Sequence, residues 1–134
     1  MPLTISETEK LIGYEITDEI KKTSLAIYKL AREYARGVGI IIADTKMEFG
    51  IDENDKLIII DELLTPDSSR FWDVESYRVG KSQESYDKQP VRDWLINSGW
   101  NKEPPAPKLP PEVIKSTTDR YKKAFEKLTG QKLQ

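Results

Sequence analysis

The sequence predicts a single α+β domain in which an antiparallel β-hairpin packs against long helices. Residues 15–36 and 111–128 repeat apolar side chains at helical spacing. Residues 40–43 and 57–60 are short, β-branched apolar runs, and a turn-rich stretch separates them, which is typical of an antiparallel strand pair. The chain has 134 residues, about the size of one domain.

Two helices are expected before the strands. Ser6 and Glu9 have the spacing of a capping box, which would begin a short helix that ends near Gly13. A longer helix follows over residues 15–36, and two glycines directly after it would terminate it.

The remaining elements follow in order. Two strands are predicted, residues 40–49 and 57–64, followed by a long irregular segment, residues 65–86. A helix is expected over residues 87–97. A proline-rich connector, residues 101–111, then leads into a final helix that Pro111 begins.

Composition excludes several classes of function. The net charge is −2, which gives no sign of a nucleic-acid or membrane-surface partner. The chain has neither cysteine nor histidine, so thiolate catalysis, zinc–sulfur sites and a histidine base are excluded. No apolar run is long enough to span a membrane and no secretion signal is visible, so we expect a cytoplasmic protein.

The predicted hairpin gathers charge on one of its faces. A two-residue turn at residues 54–55 would place Glu48 directly opposite Asp61, although a slip of one residue would move Asp61 to the other face. The charged face would hold Asp44, Lys46, Glu48 and Asp61, and the core face would hold Met47, Phe49, Ile58 and Ile60.

Two interpretations of the charged face remain open. Like charges opposite each other destabilise a sheet, unless a cation such as Mg²⁺ lies between them. Alternatively, the face is simply exposed and Lys46 neutralises its neighbours.

A second polar group follows the hairpin. Residues 65–70 offer hydroxyls, a carboxylate and the guanidinium of Arg70, which is suited to forked binding of phosphate or carboxylate. The same hexapeptide also fits a polar turn with a surface arginine. Lys81, Lys88 and Arg92 form either an anion-binding patch or independent solvated side chains.

Three motifs carry a resemblance to a known family: "DTKMEFG", "DELLTPDSSRFW" and "SYDKQPVRDWL". In this combination the chain closely resembles phosphoribosylaminoimidazole-succinocarboxamide synthase, or SAICAR synthetase. The resemblance implies the C-terminal part of a SAICAR-synthase-like, ATP-grasp-like fold. It also implies an ATP- and Mg²⁺-dependent ligase of purine biosynthesis. Such a ligase joins L-aspartate to carboxyaminoimidazole ribonucleotide through an acyl phosphate.

The resemblance also implies roles for individual residues. Glu48 and Asp61 match carboxylates associated with magnesium, and with Lys46 they would bind the ATP. Asp44 and Lys46 match a catalytic pair near the nucleotide phosphates. The implied substrate contacts are Asp67, Ser69, Arg70, Lys88 and Arg92.

The chain departs from the family in length. Family members are roughly twice as long by the usual domain arithmetic, and their N-terminal portion carries a glycine-containing ATP loop that has no match here. We therefore expect a C-terminal portion that depends on a missing N-terminal portion and has little or no activity alone. The alternative is a non-catalytic binding or assembly domain that retains the fold. An uncovered apolar face would favour homo-oligomers.

Overall fold

The computed structural model describes residues 2–133 and confirms the α+β class, with four helices and four strands in that part of the chain. Two helices come first along the chain, four strands follow, and two more helices come last. The elements are α1 (Ile5–Ile12), α2 (Tyr14–Gly37), β1 (Ile40–Thr45), β2 (Glu48–Ile51), β3 (Leu57–Ile60), β4 (Ser69–Asp73), α3 (Gln89–Asn97) and α4 (Pro111–Thr129).

The capping box of α1 lies two residues earlier than predicted. Thr4, not Ser6, is the N-cap: its backbone N–H donates to Glu7 at 2.7 Å, and its hydroxyl accepts from the Glu7 N–H at 3.3 Å. The sequence contains two overlapping matches to the motif, and the earlier one is used. The helix ends before Gly13, as predicted, where φ is 86°.

The predicted single hairpin over residues 40–64 is wrong, because the strands form two separate two-stranded sheets. The first strand is interrupted between β1 and β2, and β1 pairs antiparallel with β4 instead of with β3. Strand β4 lies inside the segment predicted to be irregular. Its buried positions are Ser69, Phe71 and Asp73. Two of these three are polar, so no apolar alternation marked the strand.

Five residues separate β2 from β3, and the Asp52 N–H donates to the Lys56 carbonyl at 2.9 Å, which leaves a three-residue turn at residues 53–55. The predicted register was therefore wrong by one residue. Glu48 pairs with Ile60 instead of with Asp61. The Asp52 carboxylate accepts the backbone N–H groups of Asn54 at 2.8 Å and Lys56 at 2.9 Å, which stabilises the longer loop. Asp55 takes the left-handed conformation, with φ of 59°, that such loops require.

The register also corrects the predicted core face of the hairpin. Ile58 and Ile60 share a face with Glu48, and Phe49 lies opposite Ile59 on the other face. Ile58, Ile59 and Ile60 are 41%, 38% and 41% exposed, respectively. Both faces of the hairpin therefore present apolar surface to solvent.

The buried core lies where α2 and α4 cover the β1–β4 sheet. Helix α2 is tied to this layer by Tyr28, whose hydroxyl donates to the Ile42 carbonyl at 2.8 Å, and by Tyr34, whose hydroxyl donates to the Leu128 carbonyl at 2.6 Å. No helix within residues 2–133 combines the length and the hydropathy that a membrane span needs. The core cluster consists of Ala35, Ile40, Ile42, Phe71, Tyr86 and Ala124.

The two C-terminal helices agree with prediction to within two residues. Helix α3 begins at Gln89, whose N–H donates to the Asp87 carboxylate at 2.7 Å. Helix α4 begins at Pro111 and ends before Gly130, which has φ of 69°. Residues 101–110 between them contain no helix or strand.

Candidate functional site

Three charged side chains converge beside the β2–β3 hairpin. The Lys46 ammonium lies 2.6 Å from the Glu48 carboxylate and 3.7 Å from the Asp61 carboxylate. The hydrogen bond with Glu48 raises the pKa of Lys46. All three side chains are 43% exposed or more, so their charged groups face solvent. Three of the four side chains predicted to share the charged face are therefore together despite the register error, whereas the fourth, Asp44, pairs with Arg70.

Asp61 reaches this group because it lies outside the strand pairing. Strand β3 ends at Ile60, and Asp61 adopts a left-handed backbone conformation with φ of 66°. In a continuous strand the observed register would send its side chain to the face opposite Glu48. The left-handed residue breaks that alternation, and its carboxylate lies within ion-pair distance of Lys46.

Asp44 and Arg70 form a forked ion pair across the β1–β4 sheet. They are register partners. The Arg70 Nε donates to Asp44 Oδ1 at 2.9 Å and to Oδ2 at 3.0 Å, and Nη2 also donates to Oδ2. This contact lowers the pKa of Asp44 and raises that of Arg70. The charge of Arg92 lowers the pKa of Asp44 further.

The hydroxyl groups after the hairpin shape the backbone. Thr65 Oγ1 accepts the N–H groups of Asp67 at 3.2 Å and Ser68 at 3.3 Å, which closes a tight turn. Ser69 is buried, and its hydroxyl donates to Thr45 at 2.9 Å. The Lys46 N–H donates to the Ser68 carbonyl at 2.7 Å. This turn therefore holds the backbone of Lys46, the residue that follows the end of β1.

Asp67 joins the polar turn to the two C-terminal helices. Its Oδ1 accepts from the Tyr121 hydroxyl on α4 at 2.8 Å and from the Lys88 ammonium at 3.3 Å. The hydrogen bond from Tyr121 lowers the pKa of Asp67, and the hydrogen bond and charge of Lys88 lower it to a smaller extent. Burial and the bond to Asp67 raise the pKa of Tyr121. Tyr121 was missed as a site residue, because its partner is 54 positions away and its spacing on α4 indicated only core packing.

Asp73 and Tyr86 form a second polar contact, which no sequence pattern predicted. The Tyr86 hydroxyl donates to Asp73, as does the Lys127 ammonium at 2.9 Å. Together they hold the pKa of Asp73 well below its ordinary value. This contact ties α4 to the end of β4 and to the segment that leads into Lys88.

The acidic groups can be tested as metal ligands. Within residues 2–133 no cluster of three or more acidic side chains is arranged to hold a metal ion. The pair Glu48 and Asp61, already sharing one cation, nevertheless matches the one or two carboxylates that Mg²⁺ uses when phosphate and water complete its coordination. The chemistry of these two carboxylates therefore fits a magnesium ion whose remaining ligands come from phosphate and water.

Comparisons with known proteins agree on one family. A model described as SAICAR synthetase matches residues 3–107. A phosphoribosylaminoimidazole-succinocarboxamide synthase from Pasteurella multocida is 55% identical over 127 residues, which is 95% of this chain and 44% of that protein. One from Methylobacillus flagellatus is 56% identical over 128 residues, which is 96% of this chain and 43% of that protein.

Solved structures give the same result. The SAICAR synthase from Saccharomyces cerevisiae, complexed with SAICAR, superposes with a TM-score of 0.86 at 43% identity, over 98% of this chain and 44% of that chain. A SAICAR synthetase in complex with ADP superposes with a TM-score of 0.71 at 26% identity, over 98% and 46% of the two chains. The chain thus spans less than half the length of the relatives it matches.

Proposed function

Because this chain belongs to the SAICAR synthetase family, we propose that it contributes to the ATP-dependent ligation of L-aspartate to carboxyaminoimidazole ribonucleotide in the cytoplasm. In this reaction ATP transfers its terminal phosphoryl group to the ribonucleotide carboxylate, which gives an acyl phosphate and ADP. The aspartate amine then forms the C–N bond, loses a proton and displaces phosphate. The convergence of Lys46, Glu48 and Asp61 carries this proposal.

Lys46, Glu48 and Asp61 would together bind the phosphates of the nucleotide. Glu48 and Asp61 would hold Mg²⁺, which supplies positive charge against the phosphate oxygens when it is bound. Lys46 would have to release the two carboxylates when they hold the ion, because both positive charges need the same oxygens. Lys46 would then turn its ammonium towards the transferred phosphoryl group and stabilise the charge that develops there.

The second group of residues would hold the acceptor substrate. Arg70 offers a forked cation, and Asp44 fixes its plane. Asp67 in turn restrains Lys88. The lowered pKa values of Asp44 and Asp67 make both carboxylates poor proton acceptors at neutral pH. We therefore assign them to orienting cations, and the substrate phosphate is the better candidate to take the amine proton.

Fragment complementation tests the proposed ligation. The chain would be purified and mixed with the part of the Pasteurella multocida relative that it does not span. We expect ADP and the succinocarboxamide product to form only in the mixture, and only with aspartate and Mg²⁺ present. Each component alone provides the control. A tight complex that forms no product would favour the alternative, a non-catalytic assembly domain.

The exposed hairpin predicts self-association of the chain in isolation. A two-stranded sheet with apolar side chains on both faces is not stable in water without a covering layer. In the complete enzyme the remaining part of the family fold would supply that layer. We expect sedimentation of the purified chain to show concentration-dependent association that Ile59→Lys weakens. A monomer at all concentrations for the unsubstituted chain would contradict this.

A further inference from the structure

A cavity of about 400 Å³ lies beside Arg70. One wall is formed by Arg70 and Trp72 of β4 and by the start of α3. The other wall is the loop of residues 77–83. The sequence analysis left open whether Lys81, Lys88 and Arg92 form an anion-binding patch. Of these three, Lys81 lines the cavity. The proposed ligation gives Lys81 no role.

The loop that covers the cavity is held by the side chain of Gln83. Its Oε1 accepts the Arg78 N–H at 3.0 Å, and its Nε2 donates to the Arg78 carbonyl at 2.5 Å and also to the Lys81 carbonyl. The Arg78 guanidinium donates to the carbonyls of Glu75 at 3.0 Å and Tyr77 at 2.8 Å. The loop is thus closed by its own side chains, and Gln83 holds its backbone at Lys81.

The donors that line the cavity have unused hydrogen-bonding capacity. Within residues 2–133, the Lys81 ammonium, the Ser82 hydroxyl and the Arg70 Nη1 make no hydrogen bond or ion pair. Asp87 is the carboxylate that lines the same cavity. It is 2% exposed, and its Oδ1 already accepts the Gln89 N–H at the start of α3. Arg70 already pairs with Asp44 through Nε and Nη2, so the unpaired positive charge at the cavity comes from Lys81, and the Arg70 Nη1 is a further donor. The carboxylate of the cavity, Asp87, is engaged by the N-terminus of α3.

The aromatic residues of the cavity make its shape rigid. The rings of Trp72 and Tyr77 stack with centroids 5.9 Å apart and an angle of 19° between their planes. The stack joins β4 to the first residue of the loop, so it holds the loop against the wall that Arg70 and Trp72 form. A restrained loop loses less conformational freedom on binding an anion than a mobile loop would.

We propose that this cavity is an anion-binding subsite in which Lys81 and Ser82, on a loop locked by Gln83, act together with Arg70. Its ligand is a phosphate or carboxylate group of a substrate, and that identity rests on the proposed function. The two sources differ in chemistry, since the ribonucleotide carries a phosphate monoester and aspartate carries two carboxylates.

Binding to the isolated full chain tests the subsite without any turnover. Labelled protein would be titrated separately with ribose 5-phosphate and with L-aspartate while the indole N–H resonance of Trp72 is followed, its assignment coming from Trp72→Phe. We expect one of the two anions to shift this resonance with saturation, and that anion identifies the substrate group. Lys81→Gln should weaken the binding about tenfold, which corresponds to about 1.4 kcal/mol.

Two further variants make the test specific. Lys29→Gln removes an exposed lysine from α2 and should leave binding unchanged. Gln83→Met keeps every cation but opens the loop, and it should weaken binding as Lys81→Gln does. The subsite is wrong if neither anion moves the Trp72 signal, or if Lys81→Gln binds as tightly as the unsubstituted chain. Failed fragment complementation with intact anion binding would instead contradict the ligase role alone.

Discussion

Replacing Asp61 with asparagine is expected to reduce ligation by the complemented enzyme at least about 100-fold. Asparagine keeps the shape of the side chain but removes the negative charge that pairs with Lys46 and that the proposed Mg²⁺ would need. Charge stabilisation by a bound metal is worth several kcal/mol, and each 1.4 kcal/mol is a factor of ten in rate. Product formation at saturating ATP provides the measurement. Raising the Mg²⁺ concentration should restore part of the activity.

The control for this variant is another hairpin acid. Glu53 lies in the exposed loop of the β2–β3 hairpin, and Glu53→Gln should ligate normally. Because Asp61 is exposed, both variants should change the free energy of unfolding by no more than about 0.5 kcal/mol. If Asp61→Asn had normal activity and an unchanged Mg²⁺ requirement, the magnesium assignment of Glu48 and Asp61 would be wrong.

Asp73→Asn is expected to lower the free energy of unfolding by about 2–3 kcal/mol. The variant leaves the largely buried Lys127 ammonium without its carboxylate and weakens the hydrogen bond from Tyr86. These contacts tie α4 to β4, so their loss acts on the core layer directly. Urea unfolding at pH 7 measures the effect, and the slope of the transition should stay unchanged.

The same contact predicts how stability depends on pH. The folded-state pKa of Asp73 is depressed, so its contribution is fully present above the unfolded value, about 3.9. That contribution is lost as the pH falls from there through the folded value. The difference in stability between the unsubstituted chain and Asp73→Asn should therefore shrink below about pH 4.

An exposed ion pair on α4 provides the comparison for Asp73. Lys115 and Asp119 are 2.5 Å apart, but both side chains are largely exposed. Asp119→Asn should change the free energy of unfolding by less than about 0.5 kcal/mol. Equal effects of the two substitutions would mean that the Asp73 contact contributes no more than a surface pair.

Local signals predicted the helices well because they act within a few residues. Pro111 begins α4 and glycines follow the ends of α1 and α4, as expected from the fixed φ of proline and the freedom of glycine. The capping box was misplaced by two residues because two motifs overlap. Strand pairing was predicted poorly, because β1 pairs with a strand whose buried face is mostly polar and which lies beyond the hairpin.

The candidate site shows the same division. Residue order was enough to predict the helical elements, the residue types available for chemistry and the family, because composition, periodicity and motif spacing are local properties. The three-dimensional fold was needed to show that Asp61 joins Glu48 at Lys46 through a left-handed residue, and that Tyr121 reaches Asp67 across the molecule. Those contacts depend on backbone conformation and on packing between distant elements, which no short window of sequence encodes.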